Sequence, residues 1–182
     1  MIRTIALTRF HQIRIWVDEL PSIPATPVSR LEAVLPATNT ISLGRRTSAI
    51  ESRRIVGPRS VYGLLCASCE PAGSEACTQL VVMERNSLDG VQLSWAIGAD
   101  SDLVTAGIPH EFVEAIIEGA SNPPDIHNIG GTTITFVGAS ATLGSSKSVF
   151  FHLADALVRL ILQRDWPPPD WERLVRERLC PS

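Results

Sequence analysis

The sequence has no apolar run of about eighteen residues, so no transmembrane helix is expected. Its first residues carry Arg3, Arg9 and Arg14 and lack the apolar centre of a secretory signal, which predicts a cytoplasmic chain with no membrane partner. Cysteine is scarce, four residues in all, and in such a compartment these are expected as free thiols and not as a disulfide framework. No Gly-x-x-x-x-Gly-Lys-Ser/Thr loop occurs, which excludes nucleotide hydrolysis of the P-loop kind and hence a GTPase domain in this chain. There are no internal repeats, so a solenoid is excluded.

What remains is an ordinary globular composition, 45% hydrophobic and 19% charged over 182 residues, enough for one core with appendages. The net charge of −3 is unevenly spread. Residues 1–60 hold nine arginines against four acids, a balance of +5, while residues 61–182 stand at −8. A basic N-terminal third can meet a phosphate backbone, or pair with the acidic remainder; both readings stand.

Period-two alternation predicts a strand within residues 4–17, where Ile13, Ile15 and Val17 face away from Gln12, Arg14 and Trp16. Pro21, Pro24 and Pro27 make an extended connector, and residues 28–50 show no clear period. Strands are expected at Thr47–Ile55 and Ser60–Cys69, joined by a turn at Gly57-Pro58. A further pair, Cys77–Met83 and Val91–Ile97, reads as a hairpin through Asn86-Ser-Leu-Asp-Gly90. Gly107-Ile-Pro109 opens a helix that Asn122-Pro-Pro124 ends. A strand at 131–138 and a long helix at 146–162 follow, the latter with Phe150, Leu153, Leu157 and Leu160 on one face. After Asp165-Trp-Pro-Pro-Pro-Asp170 a short helix is expected at Trp171–Leu179, with Glu172/Arg176 and Arg173/Glu177 as pairs four residues apart. The pattern predicts an α+β fold, a mainly antiparallel sheet covered by two helices plus a short C-terminal helix. It divides into an extension (1–45), a central domain (46–164) and a Trp/Pro-rich tail (165–182).

Four strings recur in one order: Gly57-Pro-Arg-Ser-Val-Tyr62-Gly63 opening a strand; Glu70-Pro71 ending it; Gly107-Ile-Pro-His-Glu-Phe-Val-Glu-Ala-Ile-Ile-Glu-Gly119 as a helix; and Val137-Gly-x6-Ser145-Ser146 followed by Phe150 and Ala154. Together, over roughly 100 residues from Tyr62 to Leu162, they resemble domain IV of elongation factor G, a translational GTPase. The resemblance implies a ribosomal protein S5 domain 2-like two-layer sandwich, here free-standing. It also implies a non-enzymatic binding module associated with ribosome or RNA, needing no cofactor. The family's tip carries a His-Asp pair where this chain has Ala141 and Thr142. The cations of the neighbouring turn, Arg53, Arg54 and Arg59, are then the RNA-binding candidates, together with the 139–147 loop.

Other motifs admit second readings. Gly144, Ser145, Ser146 and Lys147 are similar to the phosphate loop of galactokinase–homoserine kinase-type enzymes of the same fold superfamily, which implies a phosphate-binding enzyme as the alternative. Serines at a helix start also serve as plain caps. Cys66 and Cys69 have metal-knuckle spacing, but on a strand they point to opposite faces, so buried thiols and no metal are expected. His110, beside Glu111, has no serine or cysteine placed to use it, and Glu111, Glu114 and Glu118 read as a solvated helix face. Trp166 and Trp171 either pack back on the domain or anchor a protein partner or a second copy of the chain, the third alternative being a self-associating regulatory protein.

Overall fold

The computed structural model describes residues 1–24, 27–38, 43–73, 77–85 and 90–179, the side chain of Leu7 excepted. The N-terminal alternation folds as a hairpin and not as one strand: β1 (Ile2–Thr8) turns at Arg9-Phe10 into β2 (His11–Val17). No glycine, asparagine or proline marks that turn. Its bond is made by a side chain, the Phe10 amide donating to Thr8 Oγ1 at 3.2 Å. β4 (Arg46–Val56) and β5 (Arg59–Pro71) form the long hairpin expected around Gly57-Pro58, in register from Arg46 opposite Cys69 to Val56 opposite Arg59.

β5 pairs antiparallel with the central β8 (Thr132–Ala141). The other side of β8 is shared. Its first half pairs parallel with β6 (Cys77–Glu84), and its second half pairs antiparallel with β7 (Val104–Ala106). β3 (Ser29–Pro36) closes the sheet beyond β6, giving the order β1-β2-β4-β5-β8-β6-β3. Residues 1–45 therefore supply strands to both edges of one sheet, which is mixed and mostly antiparallel.

Three helices cover one face. α1 (His110–Ser121) follows an extended Pro109, and α2 (Lys147–Ile161) is capped by Ser146, whose Oγ accepts from the Val149 amide. The crossing of α1 and α2 is close enough that a Cβ on Gly119 would lie 2.2 Å from the Phe151 carbonyl oxygen; only glycine fits there. Phe112 stacks on Phe150 with centroids 4.8 Å apart. α3 (Trp171–Leu179) lies against α2 and buries Trp171, Val175 and Leu179 in the same core as Ile15, Ile50, Leu65 and Phe136. No helix among the described residues is long and apolar enough to cross a membrane.

The opposite face departs from a two-layer arrangement, because residues 91–103 cover it. The expected strand at Val91–Ile97 is absent: one bridge, Gln92 to Thr105, gives way to a chain of turns. Alternation misleads here because Leu93 and Ala96, three apart, are the buried residues, held by Ala96 N–H donating to the Leu93 carbonyl. They pack on Tyr62, Leu64 and Cys66. The Asp-Gly hairpin expected at 86–90 lies largely outside the described residues.

Candidate functional site at the arginine-bearing end of the sheet

Three loops meet at one end of the sheet. The Ile55 amide donates to the Phe10 carbonyl at 2.7 Å, joining the β4–β5 turn to the β1–β2 turn. The Tyr62 amide donates to the Gly144 carbonyl at 3.0 Å, joining the same turn to the loop after β8. Gly144 approaches so closely that a Cβ there would lie 2.4 Å from the Ser60 carbonyl oxygen. The two segments singled out from sequence, the Arg53/Arg54/Arg59 turn and the 139–147 loop, are therefore neighbours, and Arg9 joins them.

Strand alternation sends Arg53 to the Tyr62 face and Arg54 to the His11 face, while Arg59 stands at the turn. Among the described residues none of Arg9, Arg53, Arg54 and Arg59 forms an ion pair, whereas Arg3, Arg14, Arg45 and Arg159 each hold a carboxylate. The Arg53 Nε is buried with no hydrogen-bond partner. Apolar side chains are interleaved with these cations: Phe10 is 54% exposed, Val56 52% and Leu143 89%. Arg9 lies 5.7 Å over the Phe10 ring.

The four phosphate-loop candidates do not converge on a ligand position. The Leu143 and Gly144 amides, which would cradle a phosphate, both donate to Asp102 Oδ2, at 2.8 and 2.9 Å. The chain supplies its own anion there. Ser145 Oγ accepts from the Ala141 amide at 2.8 Å and donates to the Tyr62 carbonyl at 2.9 Å, while Ser146 caps α2. Lys147 lies on the far side of α2, by the groove that Glu111, Glu114 and Glu118 line.

On the covered face, Glu51 is fully buried, accepting from the Tyr62 hydroxyl at 2.8 Å and the Ile97 amide at 2.9 Å, with Arg14 at 3.4 Å. Burial raises its carboxyl above the ordinary range, against the pull of those donors and of Arg14. The Ile97 bond ties segment 91–103 to the sheet, while Glu51 Oε2 is buried with no hydrogen bond.

Cys66 and Cys69 lie on opposite faces of β5, one in each core, and burial lifts the Cys69 thiol to about 11. Neither is a thiolate at neutral pH. Among the described residues no three of His, Cys, Asp and Glu gather as a metal site.

Trp171 is buried, and Trp166 is half-buried with Arg46 5.4 Å from its ring, so both tail tryptophans pack back on their own chain. The expected Arg173–Glu177 pair forms at 3.6 Å, while Glu172 pairs with Arg3.

Sequence reasoning missed a buried contact between His11 Nε2 and Ser52 Oγ, 3.0 Å apart on adjacent strands. Forty-one residues separate them, and no local pattern announces the pairing. Burial first, then the neighbouring Arg54 charge, holds the His11 imidazole below its usual value and hence neutral near pH 7. Among the described residues no carboxylate lines the cavity onto which this pair opens. Compared with protein-family models, with curated proteins and with solved structures, the chain finds no match in any of the three.

Proposed function

We propose that the chain is a non-enzymatic binding module that docks on single-stranded RNA, such as ribosomal RNA, through the arginine-bearing end of its sheet. The observation that carries this reading is the set of four arginines, Arg9, Arg53, Arg54 and Arg59, gathered there without an ion-paired carboxylate among the described residues. Guanidinium groups match phosphate oxygens, and the exposed Phe10 ring beside them is the kind of surface on which bases stack. The order strand, strand, strand, strand, helix, strand, helix over β4 to α2 supports assignment to the ribosomal protein S5 domain 2-like class. It equally supports the resemblance to a free-standing domain IV of elongation factor G, whose tip loops correspond to the two loops that meet here.

The test is binding of a single-stranded RNA and of ribosomes across a salt series. Each phosphate contact on a single strand contributes a slope of about −0.7 in log K against log salt. Replacing Arg53, Arg54 and Arg59 by Ala is expected to weaken binding at least tenfold and to make the slope shallower by about 2. Absence of binding even at low salt sinks the reading.

A further inference from the structure

We propose that the cavity between the start of α2, the end of α3 and the β2–β4–β5 face binds a small phosphomonoester carrying an apolar substituent. The cavity measures about 230 Å3. Its polar wall brings together Arg54 from β4, His152 from α2 and Arg178 from α3, with the buried His11–Ser52 pair and the Ser148 hydroxyl. These groups come from four elements: the β2–β4 register sets His11 opposite Arg54 with Ser52 on the same face, and α2 and α3 add Ser148, His152 and Arg178. Among the described residues no Asp or Glu is in the lining. Asp155 stands 4.0 Å from Arg178 Nε and is already held by Arg159 at 3.0 Å and by Asn122 at 2.8 Å.

Donor number separates phosphate from carboxylate. Two guanidinium groups, the Ser148 hydroxyl and the His152 imidazole offer more N–H and O–H groups than two carboxylate oxygens accept, whereas a phosphomonoester brings three terminal oxygens and a charge of about −1.5 to −2. The rest of the wall is apolar, built from Val56, Val61, Val149, Leu153 and Leu179. A ligand that is phosphate at one end and apolar at the other satisfies both. The volume lies under the roughly 300 Å3 at which drug-sized pockets begin, which limits the ligand to a phosphate and about one ring. The site shares Arg54 with the RNA-docking set, but Arg9, Arg53 and Arg59 are not in its wall and Arg178 and His152 are not in that set, so the two are tested by different variants.

Isothermal titration of the full chain with phenyl phosphate, inorganic phosphate and benzoate tests the inference. One saturable site for phenyl phosphate is expected, with inorganic phosphate and benzoate each at least about tenfold weaker. Arg178→Gln and His152→Gln alter exposed side chains, so both variants are expected to fold, and each is expected to weaken phenyl phosphate about tenfold. Arg176→Gln removes the same charge from the same helix outside the cavity and is expected to leave the affinity unchanged. No saturable binding up to about 10 mM phenyl phosphate, benzoate binding as tightly as phenyl phosphate, or wild-type affinity in Arg178→Gln would each overturn the proposal.

Discussion

His11 and Glu51 are buried ionisable groups on opposite faces of one sheet, and their protonation pulls stability in opposite directions. The folded state holds His11 below the 6.5 of a free imidazole, so between that value and the folded one the unfolded chain binds more protons. The stability due to neutral His11 is complete above 6.5 and is lost as pH falls through the folded value. Glu51 is raised above 4.5, so the folded chain binds the extra proton. Its contribution is complete below 4.5 and is lost as pH rises through the folded value. The Glu51 slope starts upward from 4.5 and the His11 slope runs downward from 6.5, and the two are of opposite sign. Urea unfolding across both ranges is therefore expected to separate them. Relative to wild type, His11→Gln should lose stability as pH rises, and Glu51→Gln should gain it. Parallel profiles in either variant would mean that the corresponding group titrates alike in the folded and unfolded chain.

Among the elements, legibility follows the locality of the signal. The β4–β5 hairpin is announced by Gly57-Pro58, α1 by Pro109 and Asn122-Pro-Pro124, and α2 by Ser146, each a residue acting on its own neighbours. The β1–β2 turn is hidden because a threonine side chain makes it, and β3 is hidden because it is an edge strand exposed along most of its length, so no apolar alternation marks it. Segment 91–103 misleads because it alternates as a strand does but packs as turns. The same distinction holds at the site. Arg53, Arg54 and Arg59 lie within one short stretch and are visible in sequence, whereas the wall of His11, Ser52, His152 and Arg178 exists only through tertiary register, His11 standing opposite Arg54. Gly119 shows how one residue can govern a whole contact between elements. Alanine has the better helix propensity by about 1 kcal/mol. Here its Cβ would meet the Phe151 carbonyl at 2.2 Å, backbone that cannot swing aside as a flexible side chain can. Overpacking costs of about 1–3 kcal/mol outweigh propensity, so Gly119→Ala is expected to lower the urea midpoint. A rise would mean that α1 and α2 separate without loss.

For the molecule as a whole, the tail decides whether the chain is one folding unit or a domain with an appendage. The charge asymmetry is partly resolved within the chain, since Arg3 of the basic third pairs with Glu172 of α3 and Arg45 with Glu70. The four arginines at the sheet end stay outside that exchange. α3 also closes the helical face: Trp171 is 5% exposed, Val175 0% and Leu179 9%. Full burial of each such side chain is worth about 1.5–3 kcal/mol, so the three together contribute roughly 4.5–9 kcal/mol. That is comparable with the whole stability of a typical domain, about 5–15 kcal/mol. Deleting residues 165–182 would also uncover the part of α2 against which α3 packs, an apolar patch that promotes association. A self-association role for the tail therefore has to be examined in the full chain, by light scattering of wild type and of Trp166→Ala, whose ring is half-buried and not central to the core. The deletion itself is expected to abolish cooperative unfolding and near-ultraviolet circular dichroism. A truncated chain that still unfolds cooperatively, with a midpoint close to that of the full chain, would show that α3 rests on a core already complete without it.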